Sequence, residues 1–243
     1  MTDNREKYIE LVATRKQCSL CQGLTNPASC AEGRYDSDEI GPWTRWQGAL
    51  DSELMVVGQD WGDVAYFESH RGLDEARNPT NRRLRELLAE AGFAVAEVGT
   101  ETGRGTIFLT NAILCLKSGG LGGPLKRAWF AECGPRFLRP QVELVRPHAV
   151  VALGERAYGA IRRAFCVRAQ PFRVAVESGR KVELLPGVRL FPVYHCSPRV
   201  LAATRKWDEQ RADWRRIGVA LGRLLGHSTE PTTVPGPPKA VDG

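Results

Sequence analysis

Four short apolar runs, each closed by a glycine or by a polar cluster, dominate the pattern of the chain. Runs of this length between turn residues are typical of strands buried on both faces of a parallel sheet. They predict strands at Leu54–Val57, Ile107–Leu114, His148–Gly154 and Val188–Tyr194. The first run ends abruptly at Gly58, and the loop that follows it carries the carboxylate of Asp60.

Segments with the 3.6-residue period of amphipathic helices separate the strands. The predicted helices are Asn4–Lys16, Thr80–Ala91, Leu125–Val145, Glu155–Phe165 and Thr204–Leu225. Strands and helices therefore alternate, which is the order expected of an α/β fold with a parallel sheet.

Three further segments interrupt this alternation. The segment Gly23–Gln47 is rich in turn residues and predicts a loop on which Trp43 and Trp46 are exposed. The segment Asp63–Asn78 is polar and is predicted to be irregular. The segment Val167–Leu185 alternates loosely and predicts a short hairpin.

Length and composition fit one soluble domain followed by a tail. With 243 residues and 42% hydrophobic content, residues 1–227 are enough for a sizeable core, and residues 228–243, rich in Pro, Thr and Gly, are predicted to be disordered. No apolar run is long enough to span a membrane, and the charged N-terminus does not resemble a secretion signal, so a cytoplasmic protein is expected. The net charge of +6 favours an anionic partner such as nucleic acid, although 28 acidic residues are mixed among the 34 basic ones.

The seven cysteines favour metal ligation or burial over a disulfide framework, because the cytosol keeps thiols reduced. Cys18 and Cys21 have the two-residue spacing that lets two thiolates bind one metal centre, but these two ligands alone do not complete a site. Cys115, after the second strand, and Cys133, in the next helix, are the expected partners, with Cys30 as a competing ligand. Cys166 and Cys196 are predicted to be buried thiols.

Polar groups stand where the predicted strands end: Asp60 after the first, Asn111 within the second and His195 after the last. A parallel sheet brings the carboxyl ends of its strands to one rim, where ligands bind. Each residue also has a structural explanation. Asp60 could cap a helix, Asn111 could satisfy backbone groups, and His195 could simply begin a helix.

The motifs at these positions resemble, in order and spacing, those of the uracil-DNA glycosylase superfamily. They are Gly58-Gln59-Asp60, Leu109-Thr110-Asn111 and His195-Cys196-Ser197-Pro198, and the resemblance runs from Cys18 to Leu225. The four cysteines and the phrase Pro147–Gly154 look like the iron–sulfur family-4 branch, where four such cysteines hold a four-iron four-sulfur cluster. The Gln59-Asp60 pair looks instead like the family-1 branch, although Trp61-Gly62-Asp63 replaces the Pro, Tyr and His that follow there.

The resemblance implies a role for each matching residue. Asp60 would orient the attacking water and stabilise the cationic sugar, and His195 would donate to uracil O2 as the base leaves. Asn111 would read the edge of a flipped uracil, with Gln59 in the same pocket. No aromatic residue stands where family 4 has its stacking Phe, so Phe67 or Tyr66 is the expected platform. The duplex-facing residues would be Arg199, Val200 and Arg205, and the structural cluster would be held by Cys18, Cys21, Cys115 and Cys133.

The sequence thus predicts a three-layer α/β/α domain with a central four-stranded, mainly parallel sheet. The expected activity is that of a monomeric, monofunctional uracil-DNA glycosylase that acts on uracil-containing DNA without a catalytic metal and binds no membrane. Two alternatives stay open. One is a glycosylase for another deaminated base such as hypoxanthine, and the other is a non-catalytic iron–sulfur protein of the same fold that binds DNA.

Overall fold

A computed structural model describes residues 4–100, 106–120, 122–168, 170–179 and 182–224. Within these residues the sheet has five strands, in the order β2-β1-β3-β5-β4. The strands are β1 (Leu54–Asp60), β2 (Ile107–Ile113), β3 (Ala149–Leu153), β4 (Val182–Leu185) and β5 (Val188–Val193). Only β4 in this sheet runs antiparallel to its neighbour. The predicted disordered tail, residues 228–243, lies outside the described residues.

The helices of the described chain flank the sheet. They are α1 (Asn4–Lys16), α2 (Pro42–Trp46), α3 (Val64–Ser69), α4 (Pro79–Glu90), α5 (Arg127–Cys133), α6 (Arg139–Val145), α7 (Glu155–Ala164), α8 (Phe172–Ser178), α9 (Pro198–Ala203) and α10 (Trp207–Ala220). None of these helices is long and apolar enough to cross a membrane.

The side chains of β1 alternate between two hydrophobic layers, as strand geometry requires. Met55 and Val57 pack on the side that carries α1, α5, α6 and α7. Leu54 and Val56 pack on the opposite side, with α2, α4 and α10. Helices cover both faces of the sheet, so the predicted α/β/α architecture is confirmed. The stretches Leu54–Val57 of β1 and Ala149–Leu153 of β3 are accordingly apolar and buried.

The predicted number of strands, four, is wrong because the segment 167–185 was misinterpreted. Residues 172–178 form the helix α8, whose buried residues Phe172, Ala175 and Val176 follow a helical spacing. Only Val182–Leu185 is a strand, and it pairs with β5 across the Pro186–Gly187 turn. Gly187 has φ +81°, a conformation that glycine adopts without strain.

Two helix predictions and one prediction of irregular structure also need correction. Leu125–Val145 is interrupted between α5 and α6 by a π-helical turn at Gly134–Leu138, where Pro135 removes a backbone donor. Thr204–Leu225 is shorter than predicted: α10 begins at Trp207, and a separate helix, α9, precedes it. The supposedly irregular segment 63–78 contains α3.

The two tryptophans predicted to be exposed are in fact buried. Trp43 and Trp46, on α2, are 7% and 8% exposed and belong to the layer shared with α4 and α10. Polar and turn residues around them suggested a surface loop, but Pro42 at the first turn of α2 starts a short helix that faces the sheet.

Candidate active site

Asp60 is the last residue of β1 and has a side chain that is 3% exposed. Its Oδ2 accepts a hydrogen bond from Nζ of Lys117 at 2.6 Å, and the side chain of Lys117 is equally buried. Its Oδ1 has no hydrogen-bond partner among the described residues. One carboxylate oxygen is thus bound by a cation, and the other is a buried acceptor without a partner in the described chain.

The helix that follows β1 does not use Asp60 as its cap. Asp63 caps α3, because its Oδ1 accepts a hydrogen bond from the backbone N–H of Tyr66 at 2.8 Å. Backbone hydrogen bonds join the loop between Asp60 and α3 to the segment after β2. Lys117 donates its N–H to the carbonyl of Gly62 at 3.3 Å and accepts from the N–H of Val64 at 3.2 Å. These backbone bonds place Lys117 beside Asp60.

Asn111 lies opposite Gly58 in the register of β1 and β2 and is 4% exposed. A Cβ atom at position 58 would lie 2.4 Å from Oδ1 of Asn111 and 2.8 Å from the ring of Trp43. Only glycine therefore leaves room for the amide to lie across β1. Among the described residues, none donates to or accepts from this amide, so its hydrogen-bonding groups remain for a ligand.

His195 reaches the same rim two residues after β5 ends. The backbone N–H of Ser197 donates to Nδ1 of His195 at 3.1 Å, which assigns the proton of the neutral ring to Nε2. Burial lowers the pKa of His195 below its usual range, and the charge of Asp60 raises it in part. The ring is therefore a neutral donor near pH 7, close enough to Asp60 to feel its charge.

A cleft of about 940 Å³ opens beside His195, within the size range of small-ligand pockets. Of the predicted residues, it is lined by Gln59, His195, Arg199 and Val200. Arg156 on α7 and Arg173 on α8 also line it, together with the acidic Glu155. The cationic lining favours an anionic ligand.

Phe67 does not line this cleft. It is 1% exposed and packs with Cys30 and Leu116. The ring of Trp61 meets it edge-on, with ring centroids 5.7 Å apart, and Trp61 also lies 5.2 Å from Tyr66. Phe67 thus lies beneath an aromatic cluster that begins directly after Asp60.

A half-buried carboxyl group, that of Asp74, links this aromatic cluster to Trp43. Asp74 accepts hydrogen bonds from the hydroxyl of Tyr66 at 3.2 Å and from the amide of Asn81 at 2.7 Å. Asn81 in turn accepts from Nε1 of Trp43 at 3.2 Å. Burial raises the pKa of Asp74. These bonds hold Trp43 against Gly58, and so help to place the Asn111 amide.

Arg205 is already engaged within the protein. Its guanidinium bonds Asp213 at 2.8 Å and Glu209 at 3.3 Å, and its side chain is 17% exposed. Arg199, by contrast, is exposed on α9. The structure therefore places Asp60, Asn111 and His195 at one edge of the sheet. Of these three, only His195 lines the cleft, together with Gln59, Arg199 and Val200. Asp60, Asn111, Phe67 and Arg205 do not line it.

A family model described as the uracil DNA glycosylase superfamily matches residues 46–217, well over half of the chain. The chain belongs to this superfamily. It is 24% identical over 196 residues to a type-4 uracil-DNA glycosylase from Thermotoga maritima, covering 79% of this chain and 83% of that protein. It is 27% identical over 228 residues to a type-5 uracil-DNA glycosylase from Pyrobaculum aerophilum, covering 88% and 92%.

The superfamily match contains Cys115 and Cys133 but begins after Cys18 and Cys21. The structure nevertheless brings all four cysteines together around a cavity of about 330 Å³. Burial, followed by the nearby thiols of Cys18 and Cys21, raises the pKa of Cys115 to about 12. Burial also raises the pKa of Cys133 to about 12.

The donor set of this cavity consists of the sulfurs of four cysteines. Within the described ranges, no group of three or more His, Cys, Asp and Glu side chains is arranged to hold one metal ion. Four cysteines that line one cavity match in number and type the ligands of an iron–sulfur cluster. Arg15 also lines the cavity, and its Nε is buried without a hydrogen-bond partner in the described chain, so it offers a donor to a sulfur.

The other cysteines have separate environments. Cys30, the competing ligand, does not line this cavity and donates to the carboxylate of Glu68 at 3.4 Å. Cys196 is fully buried, as predicted. Cys166 is exposed, so the prediction of a buried thiol there is wrong; it follows the end of α7 with φ +54° and turns away from the core.

Sequence reasoning missed Lys117 and Trp43. A signal for Lys117 was present, because a lysine directly after the apolar run Ile113–Leu116 is buried only when it is paired. Its partner, Asp60, lies 57 positions earlier in the chain, and only the pairing of β1 with β2 brings the two together.

Proposed function

We propose that the protein is a DNA glycosylase that hydrolyses the N-glycosidic bond of uracil in DNA and leaves an abasic site. Membership of the superfamily supports this, as do relatives named type-4 and type-5 uracil-DNA glycosylases. The observation that carries it is the juxtaposition at the sheet edge: a carboxylate with one free oxygen, a neutral imidazole donor and an unpaired amide.

The chemistry of the bond explains why these groups are needed. When an N-glycosidic bond breaks, positive charge develops on the sugar and negative charge on the base. The free Oδ1 of Asp60 stabilises the sugar cation and orients the attacking water, whose proton it accepts. Nε2–H of His195 donates to uracil O2, where the charge of the leaving base builds up. The side chain of Asp60 is buried and His195 is half-buried, so their electrostatic effect is stronger than it would be in water.

Base recognition falls to Asn111 and Gln59. An amide donates and accepts at once, which matches the adjacent O4 and N3–H of uracil. The base must leave the duplex to reach Asn111, because this residue is only 4% exposed. We assign the stacking platform to the cluster of Trp61, Tyr66 and Phe67, in which the half-buried Trp61 and Tyr66 offer the accessible faces and Phe67 supports them.

Contacts to the duplex fall to the cleft and to α9. Arg199 binds phosphate and Val200 is the apolar wedge beside the flipped nucleotide. Arg156 and Arg173 extend the cationic lining. Arg205 is a phosphate contact of lesser weight, since its guanidinium already serves Asp213 and Glu209.

Cys18, Cys21, Cys115 and Cys133 would hold a four-iron four-sulfur cluster. Such a cluster, when bound, would serve as a structural crosslink and take no part in hydrolysis. It would tie the segment after α1 to the segment after β2 and to α5, and so fix the loop that carries Lys117.

A cleavage assay tests the proposal. Duplexes with one uracil, one hypoxanthine or no damage are incubated with the protein and then split, half with alkali and half without. The uracil duplex should break only in the half treated with alkali, because glycosidic hydrolysis by the protein leaves the DNA backbone intact. Excision of hypoxanthine instead would change the substrate, and binding without any excision would make the protein a non-catalytic DNA-binding member of the superfamily.

A further inference from the structure

Lys117 is a buried cation for which the reaction outlined above gives no role. It is 2% exposed, and its Nζ lies 2.6 Å from Oδ2 of Asp60. A phosphate contact is excluded by this burial, because such a contact needs a side chain that reaches solvent. Its backbone is fixed at two points. Lys117 itself bonds Gly62 and Val64, and the preceding residue, Leu116, makes two backbone hydrogen bonds with Thr25, each of 2.8 Å.

Stability alone does not account for the pair. Two charges withdrawn from water recover little net energy, and an apolar pair of similar size often serves a core equally well. The pair also divides the two oxygens of one carboxylate. Oδ2 is bound by the ammonium group, while Oδ1 has no partner among the described residues.

We infer that Lys117 is a positioning residue for the glycosylase reaction, which holds the Asp60 carboxylate by Oδ2 so that Oδ1 faces the water and the sugar. This inference rests on the proposed function. Without the ammonium group, the carboxylate would turn about its Cβ–Cγ bond, and its buried charge would have no counterion. Misplacement of a reacting group by about 1 Å costs on the order of 100-fold in rate.

The other charged groups around Asp60 do not replace Lys117. His195, from the loop after β5, is a neutral ring whose Nδ1 is occupied by Ser197. Asp63, from the loop after β1, is anionic and serves as the cap of α3. Lys117 is therefore the cation that faces Asp60 within the described part of the chain.

A double-mutant cycle on the single-turnover rate tests this role. The variants are Lys117→Met, Asp60→Asn and the combination of the two, with Lys7→Met on the exposed face of α1 as the control. Lys117→Met should be slower by roughly 100-fold. The rate of the double variant should agree with that of Asp60→Asn to within about threefold. A residue that acts through Asp60 has nothing to position once Asp60 is gone. Binding to uracil-containing duplex and its salt dependence should stay at the control value.

Chemical rescue gives a readout that a purely structural lysine would not move. Lys117→Ala leaves space for a small amine, so added ethylammonium should restore part of the lost rate, whereas tetramethylammonium, which cannot donate a hydrogen bond, should not. If Lys117→Met does not fold, Lys117→Arg takes its place in the cycle, with a smaller loss expected because the charge is kept.

The outcomes separate the two proposals. A wild-type protein that binds but does not excise uracil would overturn the proposed function, and the role of Lys117 with it. An active wild type with additive losses in the cycle, or without rescue by ethylammonium, would overturn the role of Lys117 and leave the proposed function standing.

Discussion

Gly58 shows how one missing side chain shapes the candidate site. The backbone there is extended, so glycine is needed for space and not for its conformational freedom. The amide of Asn111 and the ring of Trp43 occupy the volume that a Cβ would take. The Gly-Gln-Asp motif thus has a packing reason, which the sequence pattern alone did not reveal.

Gly58→Ala should abolish most uracil excision and destabilise the fold by only about 1–3 kcal/mol, the usual cost of overpacking. The added methyl group must displace the Asn111 amide or Trp43. Single-turnover rates and thermal unfolding of the same sample measure both effects. Gly41→Ala is the matched control, because a Cβ there lies 3.5 Å from Leu114, an ordinary contact. A Gly58→Ala protein with the rate of the control would contradict this placement of Asn111.

His195 should titrate below its usual range, and removal of Asp60 should lower its pKa further. Burial favours the neutral ring, whereas the Asp60 carboxylate favours the protonated one, so its loss leaves burial unopposed. NMR of the imidazole nitrogens follows the titration, and with four histidines in the chain a His195→Gln spectrum assigns the signal. Asp60→Asn should shift the midpoint downward. An upward shift, or a proton on Nδ1 near neutral pH, would contradict the geometry described above.

At the scale of elements, the sequence predicted the strands of the parallel sheet and α1 well. Continuous apolar runs and the helical period of Asn4–Lys16 are local signals, and the structure reproduces that helix with the same bounds. The errors occur where tertiary contacts override local pattern. Residues 172–178 become a helix because Phe172, Ala175 and Val176 pack into the core, and the helix predicted after β2 is interrupted by a π-helical turn at Gly134–Leu138.

The residues of the candidate site divide in the same way, into those with a local sequence signal and those placed by contacts between distant positions. Asp60, Asn111 and His195 could be predicted because strand ends of a parallel sheet share a rim. The Lys117–Asp60 pair and the bonds from Trp43 through Asn81 to Asp74 involve positions far apart in the chain, and no local sequence spacing predicts them.

The four-cysteine cavity joins separate elements, so its loss should loosen them before it affects chemistry. Purified protein is expected to be brown, with about four irons per chain. Cys133→Ala should lose iron and fall in thermal stability, whereas Cys166→Ala, which removes an exposed thiol away from the cavity, should keep both. Iron analysis, visible absorption and thermal unfolding provide the measurements. A colourless protein with one zinc, or a Cys133→Ala protein with full iron content, would contradict the cluster.

At the scale of the whole molecule, the net charge of +6 contributes to DNA binding only through the basic side chains that face the DNA. Several arginines are consumed by internal ion pairs, such as Arg205 with Asp213 and Arg211 with Glu90. Arg156, Arg173 and Arg199 line the cleft, although Arg173 also pairs with Glu177 at 2.8 Å. DNA affinity should therefore depend on this surface and not on net charge.

Arg199→Ala should weaken binding to all duplexes alike and reduce the slope of log affinity against log salt by about 0.9, the value for one phosphate contact. Lys7→Ala, an exposed lysine on α1, changes the net charge equally and is the control. Fluorescence anisotropy at several salt concentrations measures the slopes. Equal slopes for the two variants would remove Arg199 from the interface.

The most direct test of the account is the single-turnover rate of uracil release by folded Asp60→Asn and His195→Gln proteins. Each should be slower than the wild type by roughly 100-fold or more, the scale of losing one preorganised electrostatic contact. Binding to the uracil-containing duplex should change far less, because phosphate contacts supply most of the affinity. A folded Asp60→Asn protein that releases uracil at the wild-type rate would contradict the catalytic role of the carboxylate on which the account depends.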